Sequence, residues 1–292
     1  MKKNLRIFLT LALGFVTVIA TAQTWDANSR TRVDMGGDND QFTTDQRTSL
    51  GVSWGGNGWG INVSANHNYD LGTGGSSMSW NEANATTDLM GWATVTVGRQ
   101  ALDYGSGALI GSNDWAANPN TWDGGVFAID NDMLGLDLGV YKNNAGDGID
   151  EGTTNYFVNA SKSDGDWSMN LLYMSNEDES TAMGLDIGYA MMGGDLDLDV
   201  SYNTASGWAG EEDEDMMSIG ATYNVNDDMS VSYGQRENED DQTTVDEEIS
   251  GWSASYTMGS MSFVAHRNKG TGVGNTSNSE SEHTEIGVTF AF

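Results

Sequence analysis

The sequence predicts an all-β protein: a transmembrane, up-and-down antiparallel β-barrel of about sixteen strands with one long loop folded inward as a constriction. Three observations predict it. Beyond residue 22 the chain divides into about sixteen short segments whose side chains alternate with period two. The connections between them alternate between tight turns and longer polar loops from one end to the other, the arrangement of membrane barrels. Trp and Tyr gather near the segment ends, as interface girdles require, and the last segment alternates Ile286, Val288 and Phe290 before the chain stops on Phe292.

The elements follow in order. Trp25–Met35 sets Trp25, Ala27, Val33 and Met35 on one face and Asp26, Arg30, Arg32 and Asp34 on the other. Asp45–Trp54 sets Leu50, Val52 and Trp54 against Asp45, Arg47 and Ser49, and Gly55-Gly56-Asn57-Gly58 turns it into Trp59–Tyr69. Ser79–Leu89 and Ala93–Asp103 are joined through Met90-Gly91-Trp92. Then come Thr121–Ile129, Leu134–Tyr141, Thr153–Ser161, Trp167–Met174, Ala182–Ala190 and Leu196–Tyr202. The last five are Met216–Val225, Met229–Arg236, Ile249–Thr257, Met261–Arg267 and His283–Phe292. A water-soluble sandwich would alternate too, with its apolar face inward. Alternation alone does not say which face turns inward; the aromatic placement is what favours the membrane.

The N-terminus reads as an address. Lys2, Lys3 and Arg6 precede a short apolar run, Ile7 to Ala20, and Ala20-Thr21-Ala22 is a small-x-small cleavage site. Residues 1–22 are therefore expected to be a signal peptide and 23–292 the barrel domain. Nine basic residues then stand against all 43 acidic ones, a mature balance of −34. A nucleic-acid partner is excluded by that charge, because the phosphate backbone would be repelled. Cysteine is absent, so a disulfide framework, a thiolate metal site and a Cys nucleophile are excluded as well. No Ser/His/Asp arrangement stands out, and an enzyme is not expected. His67, His266 and His283 are scattered without ligand spacing.

Between the fifth and sixth segments lies a long Gly/Ser/Asn stretch with the chain's only proline, Pro119. A loop of this length among tightly spaced strands points to function. Around it, NEANATTDLMGWATVTVGRQ (Asn81 to Gln100) resembles Gram-negative general porins, in which a strand ending in Gly-Arg-Gln, here Gly98-Arg99-Gln100, leads into the constriction loop. The continuation through Leu102-Asp103-Tyr104-Gly105, Leu109-Ile110-Gly111, Asp114-Trp115 and Trp122-Asp123 is similar to alginate-export-type porins. Together the resemblances cover about forty residues plus the C-terminal strand. They imply a water-filled outer-membrane channel, a homotrimer, and surroundings of outer-membrane lipid and lipopolysaccharide. The few arginines and the strong acidity depart from the alginate type.

Candidate pore residues follow. Arg30, Arg32 and Arg47 share the polar faces of two neighbouring strands, and Asp114 and Asp123 are expected to oppose them across a constriction. Arg99 falls with Val95 and Val97 by parity, on the lipid face, unless a bulge at Gly98 turns it inward. Tyr104, Trp115 and Trp122 would stack on a sugar. The acidic runs Glu211 to Asp215 and Glu237 to Glu248 suit solvated loops, with weak Ca²⁺ or Mg²⁺ binding as the other reading; no other cofactor is expected. Three functions stand against one another: a cation-preferring diffusion porin for ions and small hydrophilic solutes, a sugar- or oligosaccharide-specific channel, and a non-conducting structural surface barrel.

Overall fold

A computed structural model describes residues 23–36, 42–116, 119–129, 133–143, 153–207, 213–240, 247–271 and 280–292. The segment read as a signal peptide, residues 1–22, lies outside them. The described residues form β1 (Gln23–Gly36), β2 (Phe42–Gly56), β3 (Trp59–Asp70), β4 (Ser76–Asp88), β5 (Thr94–Gln100), β6 (Trp122–Ile129), β7 (Gly135–Asn143) and β8 (Thr154–Asp164). They continue with β9 (Trp167–Asn176), β10 (Thr181–Met191), β11 (Leu196–Ser206), β12 (Asp213–Asn226), β13 (Met229–Asp240), β14 (Glu247–Met258), β15 (Met261–Thr271) and β16 (Glu280–Ala291). Each strand pairs antiparallel with its neighbours in sequence, and β1 pairs with β16, so the sheet closes into a sixteen-strand barrel.

Closure leaves no sheet edge. At the seam the Phe292 amide donates to the Ala27 carbonyl at 2.8 Å and the Ala27 amide donates to the Phe292 carbonyl at 3.2 Å. Tight turns join strands at one end. The sharpest carries positive φ at both Met90 (58°) and Gly91 (78°), and the Asp88 carboxylate accepts the Gly91 amide there at 2.5 Å.

The burial pattern decides which face is which. Trp25, Leu50, Ile61, Val158, Leu171, Val200 and Ile219 are exposed on the outside, whereas Arg30, Arg47, Asn66, Asn155, Asn159 and Asn203 are buried on the inside. That is the reverse of a water-soluble barrel. An apolar exterior and a polar interior are what hydrocarbon outside and water inside demand. Aromatic residues near the strand ends stand on that exterior: Trp25, Trp59, Trp167, Tyr202, Tyr223 and Tyr256 are exposed, and Trp54 and Tyr233 are half-buried.

Most strands run a few residues beyond their sequence bounds, β11, β13 and β15 by four at their ends, whereas β5 is shorter than expected. β4 starts earlier, at Ser76, and its register against β3 shifts at Asn81, which stands unpaired opposite Ser64/Ala65. β5 ends at Gln100 and not Asp103, because Asp103 leaves the sheet to bind the loop that follows.

Candidate functional site: the lumen and the loop that crosses it

Residues 101–116 and 119–121 lie between β5 and β6 and enter the barrel. The loop is tied to itself first. The Asp103 carboxylate accepts the Ser112 amide at 2.6 Å and its hydroxyl at 2.7 Å. The Tyr104 amide donates to the Ile110 carbonyl at 3.0 Å, and the Asn120 amide donates to the Ser112 carbonyl at 2.7 Å. These bonds satisfy backbone groups that leave the sheet and would otherwise be buried unpaired.

Its first anchor is on β8–β10. The Ser106 amide donates to Asp186 Oδ1 at 3.0 Å, and Leu109 packs over Gly184, 3.2 Å from where a Cβ would stand. Ile110 is fully buried in an apolar cluster with Trp122, Tyr141, Phe157, Leu172 and Met174. Tyr104 joins that cluster, its ring 5.1 Å from Phe157. Burial, with Asp137 hydrogen-bonded to its hydroxyl, pushes the Tyr104 hydroxyl well above the usual phenol range, so it stays a proton donor.

Its second anchor is on β1 and β2. Arg30 donates to the carbonyls of Asp114 (3.0 Å), Trp115 and Ala116 (3.1 Å). Arg47 donates to the Ala116 carbonyl at 3.0 Å and to Asp114 Oδ1 at 2.9 Å; Arg32 donates to the Trp115 carbonyl at 3.2 Å. Arg32 is fixed in turn by Asp45 and Glu285, each at 2.7 Å. The Trp115 ring lies against Gly287 on β16, within 5.1 Å of the His266 ring on β15, and under the Arg30 guanidinium at 5.0 Å. Counting round the ring from β10 through β11 to β16 and on to β1, the anchors are seven strands apart out of sixteen. The loop therefore reaches almost from wall to opposite wall.

The loop divides the lumen unequally. Inward side chains beside it on β1–β3 and β5–β10 include the buried Arg30, Arg47, Asn66, Gln100, Val126, Asn155 and Leu172. On β12–β14, by contrast, none of the described inward side chains is buried. Open space of about 460 Å³ lies against that wall, bordered by Asp199, Ser218, Ser232, Arg236, Ser253, His266 and Asn268.

The sequence-derived candidates separate accordingly. Arg30, Arg32 and Arg47 share the inner face, but they grip the loop tip and do not look across open space at it. Asp114 belongs to the same clamp. Arg99 and Asp123 correct the sequence reading. They pair with each other at 2.8 Å in unbroken register, Arg99 opposite Asp123, on the same face as the exposed Val97. Gly98 has a positive φ of 124° and sits tightly against Ala83, yet no bulge forms and Arg99 stays outside. Tyr104 and Trp122 are held in the apolar cluster while Trp115 sits at the other anchor, so the three rings form no common stacking platform. The acidic runs at Glu211 to Asp215 and Glu237 to Glu248 fall partly outside the described residues. Among the described residues no group of three His, Asp or Glu is placed to hold a metal ion.

Sequence reasoning missed the apolar interior patch and the open wall. The patch had a signal: Tyr156-Phe157-Val158 and Leu171-Leu172-Tyr173-Met174 are apolar on both faces.

No family model and no curated protein matches the chain. Solved structures do. Pseudomonas putida OprB is 9% identical with a TM-score of 0.72, covering 95% of this chain and 96% of its own. A porin refined at 1.8 Å is 13% identical with a TM-score of 0.63, covering 92% and 100%. A loop-deletion form of OmpT, an outer membrane protein of Vibrio cholerae, is 15% identical with a TM-score of 0.65, covering 92% and 99%. The fold is thus that of outer-membrane porins.

Proposed function

We propose that this chain is an outer-membrane diffusion porin, passing ions and small hydrophilic solutes down their gradients without covalent chemistry. The observation that carries the reading is the combination of an apolar exterior with a lumen half filled by its crossing loop and half open along β11–β15. The loop is the constriction, and the open half is the conduit. A cation preference follows from which charges remain free. The three arginines are engaged by the loop, while Asp199 borders the open side without a partner among the described residues and Arg236 there is paired with Glu247 at 3.4 Å.

The outer face supports an oligomer. Gln46 donates to Ser29 at 3.2 Å and Ser29 pairs with Thr48 at 3.4 Å, a polar cluster on the exterior of β1 and β2. Hydrocarbon disfavours such groups, and another copy of the chain, completing a homotrimer, suits them better. The sugar-specific reading loses the aromatic platform on which it rested.

The test is single-channel conductance and reversal potential of purified protein in a planar bilayer under a KCl gradient. A stable, cation-selective conductance is expected. Silence from well-folded protein would leave a non-conducting surface barrel, and anion selectivity would contradict the charge argument.

A further inference from the structure

At mid-height on the open wall, three inward positions that face one another across successive strands are all glycine. Gly220 on β12 pairs with Gly234 on β13, which pairs with Gly251 on β14. A glycine at one inward position narrows nothing; three in a cross-strand row remove a band of side chains about 10 Å wide, since strands are about 4.8 Å apart. The floor of the resulting trough is bare backbone at Gly234, and the two outer glycines are covered by side chains from the rims. Its two rims are polar. Asp199, which pairs with Gly220 from β11, lies over Gly220, and Asn268, which pairs with Gly251 from β15, lies over Gly251. Any side chain at either glycine would collide with the carboxylate or the carboxamide, so these two glycines are what lets the rim groups lean into the trough. Gly234 in the middle meets only the Ile219 carbonyl, at an ordinary 3.7 Å, and its lumen side is open.

The groups that border the floor are hydroxyl, carboxamide and carboxylate groups, with the His266 imidazole and Arg236, whose charge is paired with Glu247 at 3.4 Å. Ser218, Ser232 and Ser253 stand beside the glycine row on the inner face, and all border the open space. Asp199 is exposed to the lumen, and among the described residues no hydrogen bond or ion pair reaches its carboxylate. Asp197 and Asp186 each receive a donor from the protein, Asn224 at 3.2 Å and the Ser106 amide at 3.0 Å, and their charges add to the field at Asp199. A protonated amine has three donors, no acceptor and a positive charge, which is the complement of this set.

We propose that the trough is a binding station within the conduit for small hydrophilic ammonium solutes, with Asp199 taking the ammonium and the glycine floor giving it room. This rests on the diffusion reading above. The test is block of single-channel current by 1,4-diaminobutane, with glucose and glutamate as neutral and anionic probes, on the wild type and three variants. Wild-type current should be blocked in a saturable way by the diamine and not by glucose or glutamate. Asp199→Asn should weaken that block about tenfold, what losing one charge-assisted hydrogen bond amounts to. Gly234→Trp, whose Cβ would meet only an ordinary contact, should cut the conductance itself severalfold. Gly125→Leu, whose added atoms meet only ordinary contacts on the outer face, should change neither.

Equal block in Asp199→Asn, or unchanged conductance in Gly234→Trp, would overturn the proposal while leaving the porin reading intact. Stronger block by glucose than by the diamine would overturn the ammonium assignment. A wild type that conducts nothing would remove the diffusion reading and the station with it.

Discussion

The two halves of the lumen are built from the same strand geometry and reach opposite ends. On β6–β10 the inward positions carry Trp122, Val126, Tyr141, Phe157, Leu172 and Met174, and the loop lays Leu109 and Ile110 onto them until water is excluded. On β12–β14 the inward positions include Ser218, Gly220, Ser232, Gly234, Gly251 and Ser253, and among the described residues no inward side chain there is buried. A barrel wall leaves inward side chains free to be chosen for what stands against them. Here one half is chosen as a seat for a loop and the other as a surface for water. The comparison teaches that charge near a pore is not the same as charge facing it. The arginines are the most conspicuous inward cations, yet they stand at the filled side's far anchor with their donors spent on carbonyl groups.

Removing that anchor is the strongest way to break the division. Arg30→Ala with Arg47→Ala leaves the Asp114 and Ala116 carbonyls and the Asp114 carboxylate without their donors, with Arg32 alone on the Trp115 carbonyl; losing partners from a buried charged network costs about 3–5 kcal/mol. Single-channel recording should show a larger and noisier conductance as the loop tip leaves its seat. An unchanged, quiet channel would mean the loop is held by its apolar end alone.

Phe157→Ala attacks that apolar end and should lower stability by about 3–5 kcal/mol through the cavity it leaves. The midpoint of urea-driven unfolding in detergent or lipid reads this. The same truncation of an inward residue on the open wall, such as Ser232→Ala, should shift the midpoint little. Gly287→Val is gentler. Its side chain would collide with the Trp115 ring, so Trp115 should tilt, with a changed tryptophan fluorescence maximum and a modest rise in conductance.

The smallest effect is expected outside the lumen. Arg99→Ala removes an ion pair that lies on the outer face, away from the lumen. Reversal potential should stay where it was. A shift would place Arg99 electrically in the pore, against its position on the outer face.

Much of this molecule was legible from alternation alone. Period two at Trp25–Met35 or Leu196–Tyr202 gives the strand, and parity then fixes which residues share a face, so Arg30, Arg32 and Arg47 could be grouped before any coordinates. Parity also had Arg99 right, and the reading that turned it inward relied on a bulge at Gly98 that the register does not contain. What alternation does not carry is partnership across the lumen. Asp114 and Arg30 are 84 residues apart, and nothing local in either segment says that the loop tip touches the wall it was expected to face. The same holds for Gly220, Gly234 and Gly251. Each reads as an ordinary strand glycine, and only the register between strands aligns them.

The seat of Trp115 has a temporal meaning as well as a spatial one. Arg30 comes from the first strand, His266 from the fifteenth and Gly287 from the last, so the socket does not exist until the final residues have been added and the seam has zipped. The chain must hold a loop from its middle in readiness while its two ends find each other, a contact of the longest sequence separation and therefore among the slowest to form. A docked tryptophan then reports, from inside, that the cylinder has been completed.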